Sequence, residues 1–165
     1  MRDTWSLDVL YTGFDDKRWS EDLKKLDDCV EKFQAFAARL SDENEKETIK
    51  EGLKLLEELE GLSAQMMIFC ELRGAADPRD KDSMSYEGVL SQKRNRTRAA
   101  ETKFAEYVAA RKNLEQDIKE DAFLTSYAYL LRNMAEDNRH LLSGDVEEAL
   151  AKMDISGGAA WSSLQ

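Results

Sequence analysis

The sequence predicts an all-α protein, an antiparallel bundle of long helices with an irregular N-terminal segment docked against it. Three observations carry that prediction. Apolar residues recur at steps of three and four over long stretches, which is the period of one helix face. The whole chain holds one proline and eight glycines, too few turn formers for a sheet protein with its closely spaced turns. Apolar residues make up 42% and charged residues 35% of its 165 residues, a balance suited to amphipathic helices around one core.

The front end organises the rest. Trp5, Leu7, Leu10, Tyr11 and Phe14 lie within ten residues. Buried together they are worth several kcal/mol, so the segment is expected to lie along the helices that follow, with Trp5 and Tyr11 largely buried. Gly13 is a turn point, and Asp15 or Asp16 is the expected N-cap of a helix starting near Lys17.

That first helix is expected over Lys17 to Leu40. Trp19, Leu23, Leu26, Val30, Phe33, Ala37 and Leu40 form one stripe, widened by Cys29 and Phe36. A polar break at Ser41-Asp42-Glu43-Asn44 precedes a second helix over about Glu43 to Arg73. Ile49, Leu53, Leu56, Leu59, Leu62, Met66, Phe69 and Cys70 make its stripe. Leu55, Met67, Ile68 and Leu72 add a second face, which predicts burial against two neighbours. The short break makes the two helices an antiparallel pair.

Gly74-Ala75-Ala76-Asp77-Pro78 is expected to end the second helix, because proline cannot continue it. A charged, exposed linker from Arg79 to Ser83 then leads to a third long helix, about Met84 to Leu114. Tyr86, Val89 and Leu90 are its early apolar residues, and Phe104, Tyr107, Val108 and Ala109 its later ones. Between them lies the basic run Lys93-Arg94-Asn95-Arg96-Thr97-Arg98. Such a run usually marks a solvated face balanced by acidic helices. The other reading is a positive patch for an anionic partner or a peptide carboxylate.

A break is expected near Asp117 to Ala122, then a fourth helix from Phe123 to Asn138 with Phe123, Tyr127, Leu130, Leu131 and Met134 on its stripe. His140-Leu141-Leu142-Ser143-Gly144 reads as a turn. Ser143 caps a short helix over residues 145–152 whose acidic start suits the helix dipole. Ser156-Gly157-Gly158 breaks again, and Trp161 and Leu164 open an element that reads as cut short.

Charge and composition exclude several functions. A net charge of -10 disfavours nucleic acid or an anionic membrane as the main partner. No apolar run approaches the roughly 20 residues of a membrane span. No basic segment followed by an apolar run marks a signal peptide, and the expected location is the cytoplasm. Cys29 and Cys70 are expected as buried thiols rather than a disulfide.

Chemistry is sparse. A zinc peptidase site of the H-E-x-x-H type needs two histidines, and the chain has only His140. No G-x-S-x-G occurs, nor a P-loop, nor a G-x-G-x-x-G. Asp137 and His140 have i, i+3 spacing, but a di-iron bundle needs two such pairs. His140 reads as a helix C-terminal residue facing free carbonyls. Glu57-Glu58 and Glu147-Glu148 read as solvated faces. No residue of this chain is therefore expected to be catalytic, to bind a cofactor or to ligate a metal.

Two stretches resemble one family. Trp5-Ser6-Leu7-Asp8-Val9-Leu10-Tyr11-Thr12-Gly13-Phe14-Asp15, ahead of a helix with Leu23 and Leu26, looks like the start of the oligoendopeptidase F family of zinc metallopeptidases. That family commonly has proline after the tyrosine, where this chain has Thr12. His140-Leu141-Leu142-Ser143-Gly144-Asp145-Val146-Glu147-Glu148-Ala149-Leu150, running on to Trp161 and Leu164, is similar to the family's histidine-leucine-serine turn, acidic helix, small-residue loop and tryptophan. Ala75-Ala76-Asp77 lies between them in a fitting place.

The resemblance implies that residues 1–165 are a single helical N-terminal domain of a longer peptidase. Its catalytic domain, with zinc on H-E-x-x-H and a further glutamate, would lie outside this chain. The parent would hydrolyse short peptides. This part would form channel wall and select by size, without chemistry of its own. Trp5, Leu7, Leu10, Tyr11, Phe14 and Trp161 would be structural. The expected partners are peptide substrates, the protein's own catalytic domain, and a second copy held through Trp161 and Leu164. The alternative is a self-contained helical interaction domain, an adaptor without enzymatic activity.

Overall fold

A computed structural model describes residues 6–41 and 43–139. Among the described residues there are seven helices and no strand. They are α1 (Lys17–Ala38), α2 (Glu45–Ala76), α3 (Lys81–Asn95), α4 (Arg98–Ala109), α5 (Leu114–Glu120), α6 (Ala122–Ser126) and α7 (Ala128–Arg139).

The first two helices follow the apolar stripes. Asp16 is the N-cap of α1, its carboxylate accepting from the Arg18 backbone N–H. Trp19, Leu26, Cys29, Val30, Phe33, Phe36 and Ala37 are buried on one face. Trp19 meets Phe69, Lys25 pairs with Glu58 and Arg39 with Glu51. Ascending positions on α1 thus meet descending positions on α2, so the pair is antiparallel. At its centre Gly52 lets the rings of Phe36 and Phe104 approach the α2 backbone. A longer residue there would hold α1 and α4 away.

Helix α2 runs three residues past Arg73, through Gly74, to Ala76. One helical glycine costs only about 1 kcal/mol, and the two alanines after it are the best helix formers. Pro78 sets the actual stop. Asp77 before it is extended, at φ -137° and ψ 100°, as the proline ring demands. The expected linker over Arg79 to Ser83 is mostly helix. Asp80 caps α3 by accepting from the backbone N–H groups of Asp82 and Ser83, and also takes the Ser83 hydroxyl at 2.9 Å. Ser83 is fully buried there.

The single third helix expected over Met84 to Leu114 is two helices. The ladder fails at Arg96 and Thr97, whose N–H groups bond three residues back, to Lys93 and Arg94. Two side chains hold this break. The Thr97 hydroxyl donates to the Arg94 carbonyl at 2.7 Å, and the Gln34 amide of α1 donates to the Arg96 carbonyl at 2.7 Å. Helical periodicity continues through such a break, so the sequence pattern could not reveal it. Together α3 and α4 descend alongside α2: Arg94 reaches Glu60, Phe104 meets Gly52, and Arg111 reaches Glu45.

The chain then turns at Ala110 to Asn113. The break expected near Asp117 to Ala122 is largely helical, because α5 occupies residues 114–120 and Asp121 at once caps α6. Leu114, Ile118 and Leu124 provide the apolar anchors. The fourth helix is interrupted at Tyr127, so it forms α6 and α7.

The second apolar face expected on α2 is only partly covered. Leu55 and Met67 pack against the core, whereas Ile68 and Leu72 stay exposed among the described residues.

Candidate functional site

The front segment builds the first chemical cluster. Tyr11 is 1% exposed and sits edge-on against Trp19 and Phe69, both with ring centroids 5.1 Å away. Phe14 stacks on Tyr86 of α3 at 4.6 Å, and the Arg73 guanidinium lies 4.8 Å over the Phe14 ring. Cation–π contacts of this kind add to the apolar burial. The Tyr11 hydroxyl donates to Asp22 at 2.8 Å and accepts from the Gln65 amide at 3.0 Å. Burial, then the hydrogen bond to Asp22, pushes its pKa well above the usual tyrosine range. It stays neutral, and it ties the segment to α1 and α2. Leu7, Leu10 and Phe14 pack partly buried against the same core. The expected docking thus holds for Tyr11, while Trp5 lies outside the described residues.

The basic run is balanced by acidic neighbours. Lys93 meets Asp27 at 2.6 Å, Arg96 approaches the same carboxylate, and Arg94 is held between Glu60 and Glu101. Burial opposes the Arg94 charge, but the two carboxylates outweigh it and its pKa is raised. These residues join α1, α2, α3 and α4, with the acidic balance of the first reading, although Lys93 and Arg94 are half-buried and Thr97 is buried rather than on a solvated face.

A third cluster fixes α5 and α6 to α2. Lys46 reaches Asp117 and Glu120, Lys50 reaches Asp121 at 2.9 Å, Lys54 lies over the Phe123 ring, and Glu57 accepts from the Tyr127 hydroxyl at 2.6 Å. Residues 46, 50, 54 and 57 lie at steps of four and three, so one stripe of α2 holds the whole turn. The order along both partners is the same, so α5 and α6 run parallel to α2. The Lys50 ammonium, with the Leu124 N–H, holds the Asp121 carboxyl below its usual range. Arg132 does the same for Glu115 across the α5–α7 junction.

Zinc donors are poorly represented. Among the described residues no group of three or more His, Cys, Asp and Glu side chains could hold a metal ion. Cys29 and Cys70 are buried free thiols on different helices. Burial raises the Cys29 pKa and pushes the Cys70 thiol up to about 12. The thiolate is the form that ligates or attacks, so neither sulfur suits a metal or a nucleophile. Asp137 falls on α7, and His140 lies outside the described residues. The described residues therefore do not fit a catalytic zinc, which needs three protein ligands.

The remaining feature is a groove between α2, α4 and α7. Leu53, Leu56, Phe104, Leu130 and Met134 line it, with Glu57, Glu60 and Glu101 at the rim. It comprises two adjoining cavities of about 350 Å³ and 280 Å³ that share Leu56, Glu60 and Leu130. The sequence showed Leu56 and Leu130 only as members of core stripes. The apolar period also conceals the interruption at Tyr127 that separates α6 from α7.

Comparison with known proteins places the last part of the chain. A family model described as Oligopeptidase F matches residues 108–165. The match supports an oligoendopeptidase-family N-terminal region over about the last third of the chain. The match starts at the end of α4, takes in the α5–α7 turn held by Lys46 and Lys50, and includes the His140 to Leu164 stretch. The front segment from Trp5 to Asp15 lies before it. No curated protein and no solved structure matches the chain.

Proposed function

We propose that this chain is the helical N-terminal domain of a zinc-dependent oligoendopeptidase that hydrolyses short peptides in the cytoplasm. The observation that carries the reading is the family match over residues 108–165. The domain contributes channel wall and size selection, and its partner is the catalytic domain of the same protein. Zinc and its ligands belong to that domain. The zinc would polarise the scissile carbonyl and activate water, while the residues here position and exclude. Three features support a wall rather than a catalytic role. Lys46, Lys50, Lys93, Arg94 and Arg111 are engaged in ties between helices, both thiols are buried, and the α5–α6 turn is fixed to α2 by side-chain contacts. Among the described residues no helix is long and apolar enough to cross a membrane.

The test uses the longer protein. It should cleave a short fluorogenic peptide, lose that activity to a chelator and regain it with zinc, and leave a folded protein substrate intact. Cleavage of folded substrates at a comparable rate would remove size selection, and failure to cleave peptides with zinc present would remove the peptidase reading.

A further inference from the structure

We infer that the groove between α2, α4 and α7 is the docking site for the uncharged stretch Ile155–Gln165 of the same chain, with Trp161 as its anchor. The groove is apolar along its floor and carboxylate-lined along its rim. Arg94, the cation at one end, is already engaged by Glu60 and Glu101. An acidic occupant would therefore meet like charge, and a strongly hydrated one would lose water without compensation.

The chain beyond α7 divides along this line. Residues 145–148 carry three carboxylates, whereas residues 155–165 carry no charged side chain and include Ile155, Trp161 and Leu164. Of these two, the second stretch suits an apolar floor under an acidic rim, and it alone carries an aromatic anchor, Trp161. It also starts from the right place. Met134 lines the groove and lies within two turns of Arg139, where α7 ends. Even wound entirely as helix, the chain from Arg139 to Trp161 spans roughly 30 Å, ample for a return past α7. A tryptophan buries about 150–250 Å², enough to cover Leu56 and the partly exposed Leu130. The Oligopeptidase F match runs unbroken through α7 and this stretch, so the groove's α7 wall and its occupant belong to one family unit. Sequence alone directs Trp161 and Leu164 to a second copy; the groove offers them a cover within the same chain.

The test is acrylamide quenching of Trp161 emission, obtained by subtracting the spectrum of W161F, in the native background and in L130E. Leu130 is 37% exposed, so L130E should fold, and L130N repeats the measurement without the charge. Docking predicts a protected Trp161 in a monomer, and a several-fold rise in its quenching constant in L130E with unchanged circular dichroism and unchanged sedimentation. A smaller rise in L130N supports the same conclusion. Equal, high quenching in all backgrounds would show that the stretch is undocked. Protection that survives L130E would place its cover elsewhere, and protection that disappears on dilution together with a dimer would assign it to a second copy. Each of these three results overturns the inference.

Discussion

Two glycines of α2 should respond differently to the same substitution. Gly52 faces the centre of the bundle. A Cβ built there would come within 2.5 Å of Phe104 Cζ and 2.9 Å of Phe36 Cε1, with Phe104 Cε2 equally crowded. Both rings are buried, Phe104 completely, so neither can swing aside without moving its helix. Overpacking of this kind costs about 1–3 kcal/mol. Alanine in place of glycine inside a helix returns about 1 kcal/mol. Gly52→Ala should therefore be neutral to destabilising by about 2 kcal/mol. At Gly61, nine residues along the same helix, nothing lies within 4 Å of the added carbon. There Gly61→Ala should stabilise by about 1 kcal/mol. The propensity gain cancels between the two, leaving the overpacking cost as their difference. Urea unfolding with a shared slope measures it. Combining Gly52→Ala with Phe104→Leu should recover part of the loss, because the pair is in contact and couples. Equal stabilisation by both alanines would refute the close approach of α1 and α4 to α2.

Three further outcomes follow from the side-chain geometry. Tyr11→Phe removes the hydroxyl shared by Asp22 and Gln65, and should cost about 1–2 kcal/mol in the same assay, helix content unchanged; an unaltered midpoint would mean that the segment is not tied there. A thiol reagent should leave Cys29 and Cys70 unmodified in the native protein and modify both in urea, since both are buried with raised pKa values; rapid native labelling would contradict that burial. The carboxyls of Asp16, Asp80, Glu115, Glu120 and Asp121 are all held below their ordinary values of 3.8 and 4.5 by hydrogen bonds and cationic neighbours. Their folded pKa values lie below the unfolded ones, so their stabilisation is full above about pH 4.5 and is lost as pH falls through the folded values. Stability should therefore decline below that pH, and a flat profile from pH 5 to 2 would argue against these contacts.

The fold was legible wherever one stripe meets one core. The main faces of α1 and α2, a cap at Asp15 or Asp16 and the buried Tyr11 follow from spacing and residue type alone; the structure places the cap at Asp16. What the sequence concealed were interruptions that keep the helical period. Thr97 and Gln34 break the third helix by bonding two carbonyls, and Tyr127 separates α6 from α7, without disturbing the apolar spacing. The second helix was expected to end near Arg73 and runs on to Ala76, because Pro78, the stop the sequence did show, acts only there, removing an N–H and forcing Asp77 extended. Sequence also could not show which carboxylates answer the basic run. Asp27, Glu60 and Glu101 come from three different helices and meet it only in the folded bundle. For the site, the lack of a histidine pair was plain from composition. The α2–α4–α7 groove was not, since its lining residues read in sequence as ordinary members of core stripes.

The central claim is that this domain belongs to a peptidase whose chemistry lies in another part of the protein. Reading the coding sequence downstream of Gln165 tests it most directly. The account predicts an in-frame H-E-x-x-H, a motif that Met1 to Gln165, with one histidine, does not contain. A stop codon directly after Gln165, or a long in-frame continuation without that motif, would contradict it.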